Sequence, residues 1–218
     1  MSARSLSWLA SLGLLAACNG GGTAMMGNDA GIVIPPDTGA ACANHIPNPP
    51  TDPDFGTLRG SSFQGFTLNR CDGTPFDFYG ESYCSPEHTF TVISIAAGWC
   101  HPCQVESDLL TSNVVNVYGP LGVRVVQILV QDENGNPPDA AFCDFWTTAH
   151  GLTVAPNAAG VGNYELLDPA QITNRFFPDN ALPSTIIIDS DGVIRFWEDG
   201  ASESLASMTA ELDRLLGR

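Results

Sequence analysis

The stretch from Thr89 to Tyr118 constrains the fold more than any other part of this chain. Thr89-Phe90-Thr91-Val92-Ile93-Ser94-Ile95-Ala96 is β-branched and alternating, the pattern of a buried strand. From Gln104 through Tyr118, Val105, Leu109 and Leu110 recur at helical spacing, with Glu106 and Asp108 in the early turns, where acidic groups suit the helix dipole. Between strand and helix stands Trp99-Cys100-His101-Pro102-Cys103. A strand that turns directly into a helix, with two thiols at the turn, points to an α/β unit whose chemistry sits at the helix N-terminus.

Two cysteines separated by two residues either close a small disulfide ring or form half of a metal site. A zinc site of this kind needs a second pair at similar spacing. Cys71 and Cys84 are far apart, and His45, His88 and His150 stand alone, so redox use is expected with no metal and no cofactor. Unpaired backbone N–H groups and the helix dipole favour an anion at Cys100. Cys103, one turn deeper, is shielded yet able to attack a mixed disulfide on Cys100. Pro102 suits a first helical turn, where it needs no N–H partner. A cationic His101 would tune the pKa by favouring the Cys100 thiolate; the alternative is an exposed spacer.

Arg4 precedes an apolar stretch, Leu6 to Ala17, too short to span a bilayer and of the length of a signal-peptide core. It ends in Leu15-Ala16-Ala17-Cys18, which resembles the bacterial lipoprotein box. That resemblance implies a signal peptide over 1–17, lipid on Cys18 and a place in the cell envelope outside the cytoplasm. Asn19 is not the Asp associated with inner-membrane retention in enteric bacteria. Residues 18–56 carry Gly20-Gly21-Gly22, Pro35-Pro36 and Pro47-Asn48-Pro49-Pro50 without apolar periodicity, and read as a tether. The remainder, 57–218, is long enough for one domain with one core.

With Cys18 acylated, Cys42, Cys71, Cys84, Cys100, Cys103 and Cys143 form an even set in an exported protein, which suggests disulfides. Cys71 and Cys84 flank a short hairpin-like segment and are expected to pair, leaving Cys42 for Cys143. The alternative makes Cys143 a buried apolar thiol on a helix with Phe142, Phe145 and Trp146. The chain has no Lys and a net charge of −16, which argues against nucleic-acid binding and against attachment to anionic lipid through a basic patch.

The domain alternates its elements. Gly65–Leu68 and Thr74–Phe78 flank Cys71-Asp72-Gly73 as a hairpin, Val123–Val130 is a second strong strand, and Asp139–His150 is a helix. Gly151–Asn163 reads as a long connecting segment. Thr185–Asp189 and Val193–Trp197 form a hairpin around Ser190-Asp191-Gly192, and a helix closes the chain near 203–216. Asp132–Asn136 and Asp189–Gly192 read as turns, not calcium loops. The expected fold is a mixed central sheet with helices on both faces and an N-terminal β-hairpin extension.

Over about 57–218 the chain resembles the thioredoxin-fold, TlpA/ResA-like membrane-anchored redoxins. The resemblance rests on Trp99-Cys100-x-Pro102-Cys103-x-x-Glu106, the upstream hairpin with Cys-Asp-Gly at its turn, and Leu182-Pro183-Ser184-Thr185 leading into Ile186–Gly192. It implies a thioredoxin fold and thiol–disulfide exchange with protein partners in the envelope. Cys100 is then the solvent-facing attacking thiol, Cys103 the resolving thiol and Glu106 its proton acceptor. Trp99 and Pro183, the latter matching the family's cis-proline, contact the substrate. The family departure is Ser94, where thioredoxins carry a buried Asp. Two other readings stay open: a peroxiredoxin, against which stands Ala97 where those enzymes have Thr or Ser, and a Cu(I)-binding metallochaperone-type module using Cys100 and Cys103 as soft ligands.

Overall fold

The computed structural model describes residues 55–83, 88–154, 156, 161–200 and 205–218. The expected signal segment over 1–17, Cys18, the expected tether up to residue 54, Cys42 and Cys84 lie outside these residues. The strands are β1 (Thr67–Arg70), β2 (Pro75–Asp77), β3 (Phe90–Ala97), β4 (Val123–Gln131), β5 (Tyr164–Leu167), β6 (Ser184–Asp189) and β7 (Ile194–Asp199). The helices are α1 (His101–Leu110), α2 (Asn116–Tyr118), α3 (Ala140–His150) and α4 (Ala206–Leu216). A π-helical turn over Thr111–Val115 joins α1 to α2, so the expected helix to Tyr118 is present with altered winding after Leu110.

The strands form one sheet in the order β2-β1-β5-β4-β3-β6-β7. β3, β4 and β5 run parallel, and the remaining neighbours are antiparallel. β3 and β6 are buried at every position, so the sheet needs cover on both faces. Strand alternation divides the apolar side chains between two clusters. Ile93, Ile95, Val126, Ile128, Ile186 and Ile188 pack with Phe63, Phe66, Phe76, Phe78 and Phe176, under short helical turns at Tyr79–Tyr83 and Asn174–Phe176. Val92, Val125 and Ile187 pack in one cluster with Leu110, Val114 and Tyr118 and with Met208 and Leu212 of α4.

The β1–β2 hairpin forms where the sequence places it. Gly73 takes φ +80°, and Asp72 Oδ1 accepts from the Thr74 N–H at 2.9 Å and from its hydroxyl at 2.6 Å. The hairpin does not join the sheet next to β4, because β5, a strand the sequence pattern does not reveal, lies between them. β1 pairs with β5 through Asn69↔Leu167 and Arg70↔Leu166, which carries Cys71 to the edge of α3. There it bonds to Cys143. This overturns the expected Cys71–Cys84 pairing and with it a Cys42–Cys143 bridge, and Cys143 is a buried half-cystine, not a free thiol. The link spans a sequence separation of 72 residues, which by chain entropy is worth about 4 kcal/mol.

Gly98, between β3 and the dithiol, has no room for a side chain: a Cβ there would lie 2.5 Å from Glu133 N, 2.6 Å from Asp132 C and 2.8 Å from Phe142 Cζ. Two of these neighbours are backbone and cannot rotate away. Gly98→Ala is expected to lower the midpoint of urea unfolding by the equivalent of about 1–3 kcal/mol; an unchanged midpoint would contradict this packing.

Candidate active site

The site is built on a row of polar side chains in otherwise apolar strands. In-register pairing sets Glu198, Thr185, Ser94, Gln127 and Glu165 side by side on β7, β6, β3, β4 and β5. Apart from Glu198, each is buried. Burial without partners would cost about 1–3 kcal/mol per group, so helices must bring partners to the row. α1 supplies Glu106 and Ser107. Ser94 donates its hydroxyl to Glu106 Oε1 at 2.7 Å, and Thr185 Oγ1 lies 3.3 and 3.4 Å from the two carboxyl oxygens. Gln127 Nε2 donates to Ser107 Oγ at 2.7 Å, and Ser107 donates to the Cys103 carbonyl at 2.8 Å. α3 supplies Trp146, whose Nε1 donates to Gln127 Oε1 at 2.9 Å.

Above this row Cys100 and Cys103 are joined in a disulfide. Cys100 is the N-cap of α1, and its sulfur accepts from the Cys103 N–H at 3.2 Å. Pro102 occupies the first turn, as expected. Cys100 is 3% exposed and Cys103 0%, so the anticipated solvent-facing sulfur is covered in this oxidised form. What faces solvent is His101 and Trp99, the latter 44% exposed with its indole N–H bonded to Gln131 Oε1 at 2.8 Å. Leu182-Pro183 is a cis peptide, and Pro183 is buried directly ahead of β6, whose Ser184 pairs with Ile95 of β3.

Glu106 is 2% exposed, one turn past Cys103. Burial drives its pKa up to about 7, against the lowering effect of the Ser94 and Thr185 hydrogen bonds, and the nearby Glu198 charge adds to the rise. A group of that pKa can take or give a proton near neutrality. Ser94 therefore does not leave the site without a buried acid: it holds the acid that α1 brings. The structure thus gathers Cys100, Cys103 and Glu106 and sets Trp99 and His101 at their rim. Sequence reasoning missed Gln127, Ser107, Thr185 and Trp146. The available signal was Gln127 standing alone in Val125-Val126-Gln127-Ile128-Leu129, as Ser94 stands in β3.

Among the described residues, one group has metal-ligand character: Cys71, Cys143 and Glu165, whose ligand atoms lie within 4.8 Å of one another. Its two sulfurs are bonded to each other.

No protein-family model and no curated protein matches the chain. Solved structures do. A Chlorobium tepidum protein assigned as the thiol:disulfide interchange protein DsbE matches with a TM-score of 0.54 at 15% identity, over 74% of this chain and 99% of its own. The thioredoxin domain of a thiol-disulfide oxidoreductase from Bacteroides vulgatus matches at 0.51 and 11% identity, over 71% and 98%. The peroxidoxin BcpB of Mycobacterium tuberculosis matches at 0.56 and 13%, over 75% and 99%. These likenesses establish a thioredoxin fold.

Because the folded pKa of Glu106 lies above its ordinary 4.5, its stabilising contribution is full below that value and is lost as pH rises through about 7. Glu106→Gln removes this penalty. The variant is expected to gain up to ~3 kcal/mol over the parent at about pH 8 and nothing at about pH 4, read from urea unfolding at the two pH values. An equal effect at both would mean that Glu106 titrates normally.

Proposed function

We propose that this protein is a thiol–disulfide oxidoreductase that exchanges disulfides with partner proteins through Cys100 and Cys103. The observation that carries the reading is the redox pair at the start of α1 with a buried carboxyl of raised pKa one turn beyond it. In the reducing direction, the Cys100 thiolate attacks a partner disulfide and one partner sulfur leaves. Glu106 takes the Cys103 proton, Cys103 attacks the Cys100 sulfur, and the second partner sulfur departs as a thiol; the protein ends oxidised by two electrons. The reverse sequence oxidises a dithiol partner.

Helix geometry supports Cys100 as the attacking group, since the α1 N-terminus stabilises its thiolate. A cationic His101 would add to that effect. Trp99, exposed beside the pair, and the backbone around Pro183 offer a ledge for an extended partner segment. Ala97, buried where a peroxidase of this fold would carry Thr or Ser, favours exchange over peroxide reduction. The lipoprotein-like Leu15–Cys18 segment supports anchoring through lipid on Cys18, with the domain outside the cytoplasm. Among the described residues no helix is long and apolar enough to cross a membrane.

Cys100→Ser is expected to abolish insulin reduction, whereas Cys103→Ala should accumulate mixed disulfides with envelope proteins, visible as adducts on non-reducing gels. Insulin reduction at the parent rate by Cys100→Ser would end this reading. The reduction potential of the pair assigns the direction, at about 1.4 kcal/mol per 30 mV: a low value marks a reductase, a high one an oxidant. Cys18→Ala should move the protein from the membrane fraction to the soluble envelope fraction.

A further inference from the structure

The second disulfide has surroundings that a mere cross-link does not need. It opens on a cavity of about 500 Å³ lined by Arg70, Cys71, Asp144, Thr147, Tyr164 and Glu165. Cys71 is half-buried on that lining, while Cys143 is fully buried in the core. Glu165 is 3% exposed, and its Oε2 lies 3.8 Å from Cys71 Sγ and accepts the Thr147 hydroxyl. Its other oxygen, Oε1, is buried without a hydrogen-bond partner. Burial raises the Glu165 pKa to about 7, with Thr147 opposing and the Asp144 charge adding to the rise. A disulfide at a cavity wall thus has a buried carboxyl with an unpartnered oxygen close to it, as the Cys100–Cys103 ring has a buried carboxyl one turn beyond it.

We infer that Cys71–Cys143 is a second exchange centre, open to low-molecular-weight thiols of amino-acid or short-peptide size, in which Glu165 protonates the buried Cys143 sulfur as it leaves. The cavity has the size of a small-molecule site. Its lining sets Asp72 and Asp144 beside Arg70, whose guanidinium is already paired with Glu81, so the charge left facing the cavity is acidic and suits the ammonium group of such a thiol. The entering thiolate bonds to Cys71 Sγ, the Cys71–Cys143 bond breaks, and the Cys143 sulfur takes the Glu165 proton. A buried thiolate would otherwise bear the full cost of desolvation. A second thiolate then attacks the entering sulfur, releasing the small disulfide and leaving Cys71 and Cys143 reduced by two electrons. This centre does not depend on the role assigned to Cys100 and Cys103.

The test uses the full chain with Cys100→Ser and Cys103→Ser, so that failure of either reading is seen separately. The protein is exposed to free cysteine, alkylated in acid, and the Cys71 and Cys143 peptides are followed by mass spectrometry. The expected result is a cysteine adduct on Cys71, then two free thiols, with a rate at least ~10-fold lower in Glu165→Gln, which retains an acceptor for Thr147. Per thiolate, the parent rate should fall as pH rises through about 7, because protonated Glu165 disappears, while the Glu165→Gln profile stays flat. Asp144→Asn should move that fall to lower pH. A bridge that cysteine opens only in denaturant, or a parent profile as flat as that of Glu165→Gln, would reduce Cys71–Cys143 to a cross-link. Faster opening by a protein dithiol than by cysteine would overturn the small-thiol assignment.

Discussion

The polar row across the middle of the sheet is the constraint on which the rest of the structure depends. Thr185, Ser94, Gln127 and Glu165 sit at one level on four adjacent strands, in a layer where neighbouring positions are Ile, Val and Leu. Water does not reach them, so their hydrogen bonds must come from the helices above. That requirement fixes where α1 and α3 lie along the sheet more tightly than apolar packing, which is non-directional. Glu106 and Ser107 must come down over Ser94 and Gln127, and Trp146 must reach Gln127 from α3. The position of the Cys100–Cys103 ring follows from that placement, because Cys103 is one turn from Glu106 and its carbonyl is held by Ser107.

The row also explains why two carboxyls in one small domain have pKa values pushed up to about 7. Both are held by hydroxyl donors and not by cations: Ser94 and Thr185 for Glu106, Thr147 for Glu165. A neutral donor offsets only part of the desolvation cost, whereas an arginine in the same place would drive the carboxyl below its ordinary range. The eight basic residues of the chain, all Arg, leave these two carboxyls without a salt bridge among the described residues.

The sequence was most legible where periodicity was strong. β3, β4, β6, α3 and the first hairpin lie within a residue or two of their expected places, and the strand-to-helix position of the dithiol needed only local reasoning. The failures share one origin. β5 is four residues, Tyr-Glu-Leu-Leu, after a Gly, Ala and Asn-rich segment, too short to show alternation. Without it nothing brings the hairpin to α3, and Cys71 is assigned to its sequence neighbour Cys84. Strand register was equally hidden: Gln127 and Ser94 are each visible as polar interruptions, but their alignment with Thr185 and Glu165 depends on pairing that a single sequence does not display. Glu106 was readable as a residue near Cys103, while its burial required knowing which face α1 turns to the sheet.

The two disulfides among the described residues are nested: the short ring lies wholly inside the stretch of chain between Cys71 and Cys143. That stretch holds β2, β3, α1, α2 and β4, including the strand and the helix that carry Cys100, Cys103 and Glu106. A cut in the exposed turn at Asn134-Gly135 would therefore leave two fragments still covalently tied, with the inner ring intact on one of them. The outer bond thus keeps the part of the domain that carries Cys100 and Cys103 tied to the part that carries β5, β6 and β7 even when the backbone between them is broken.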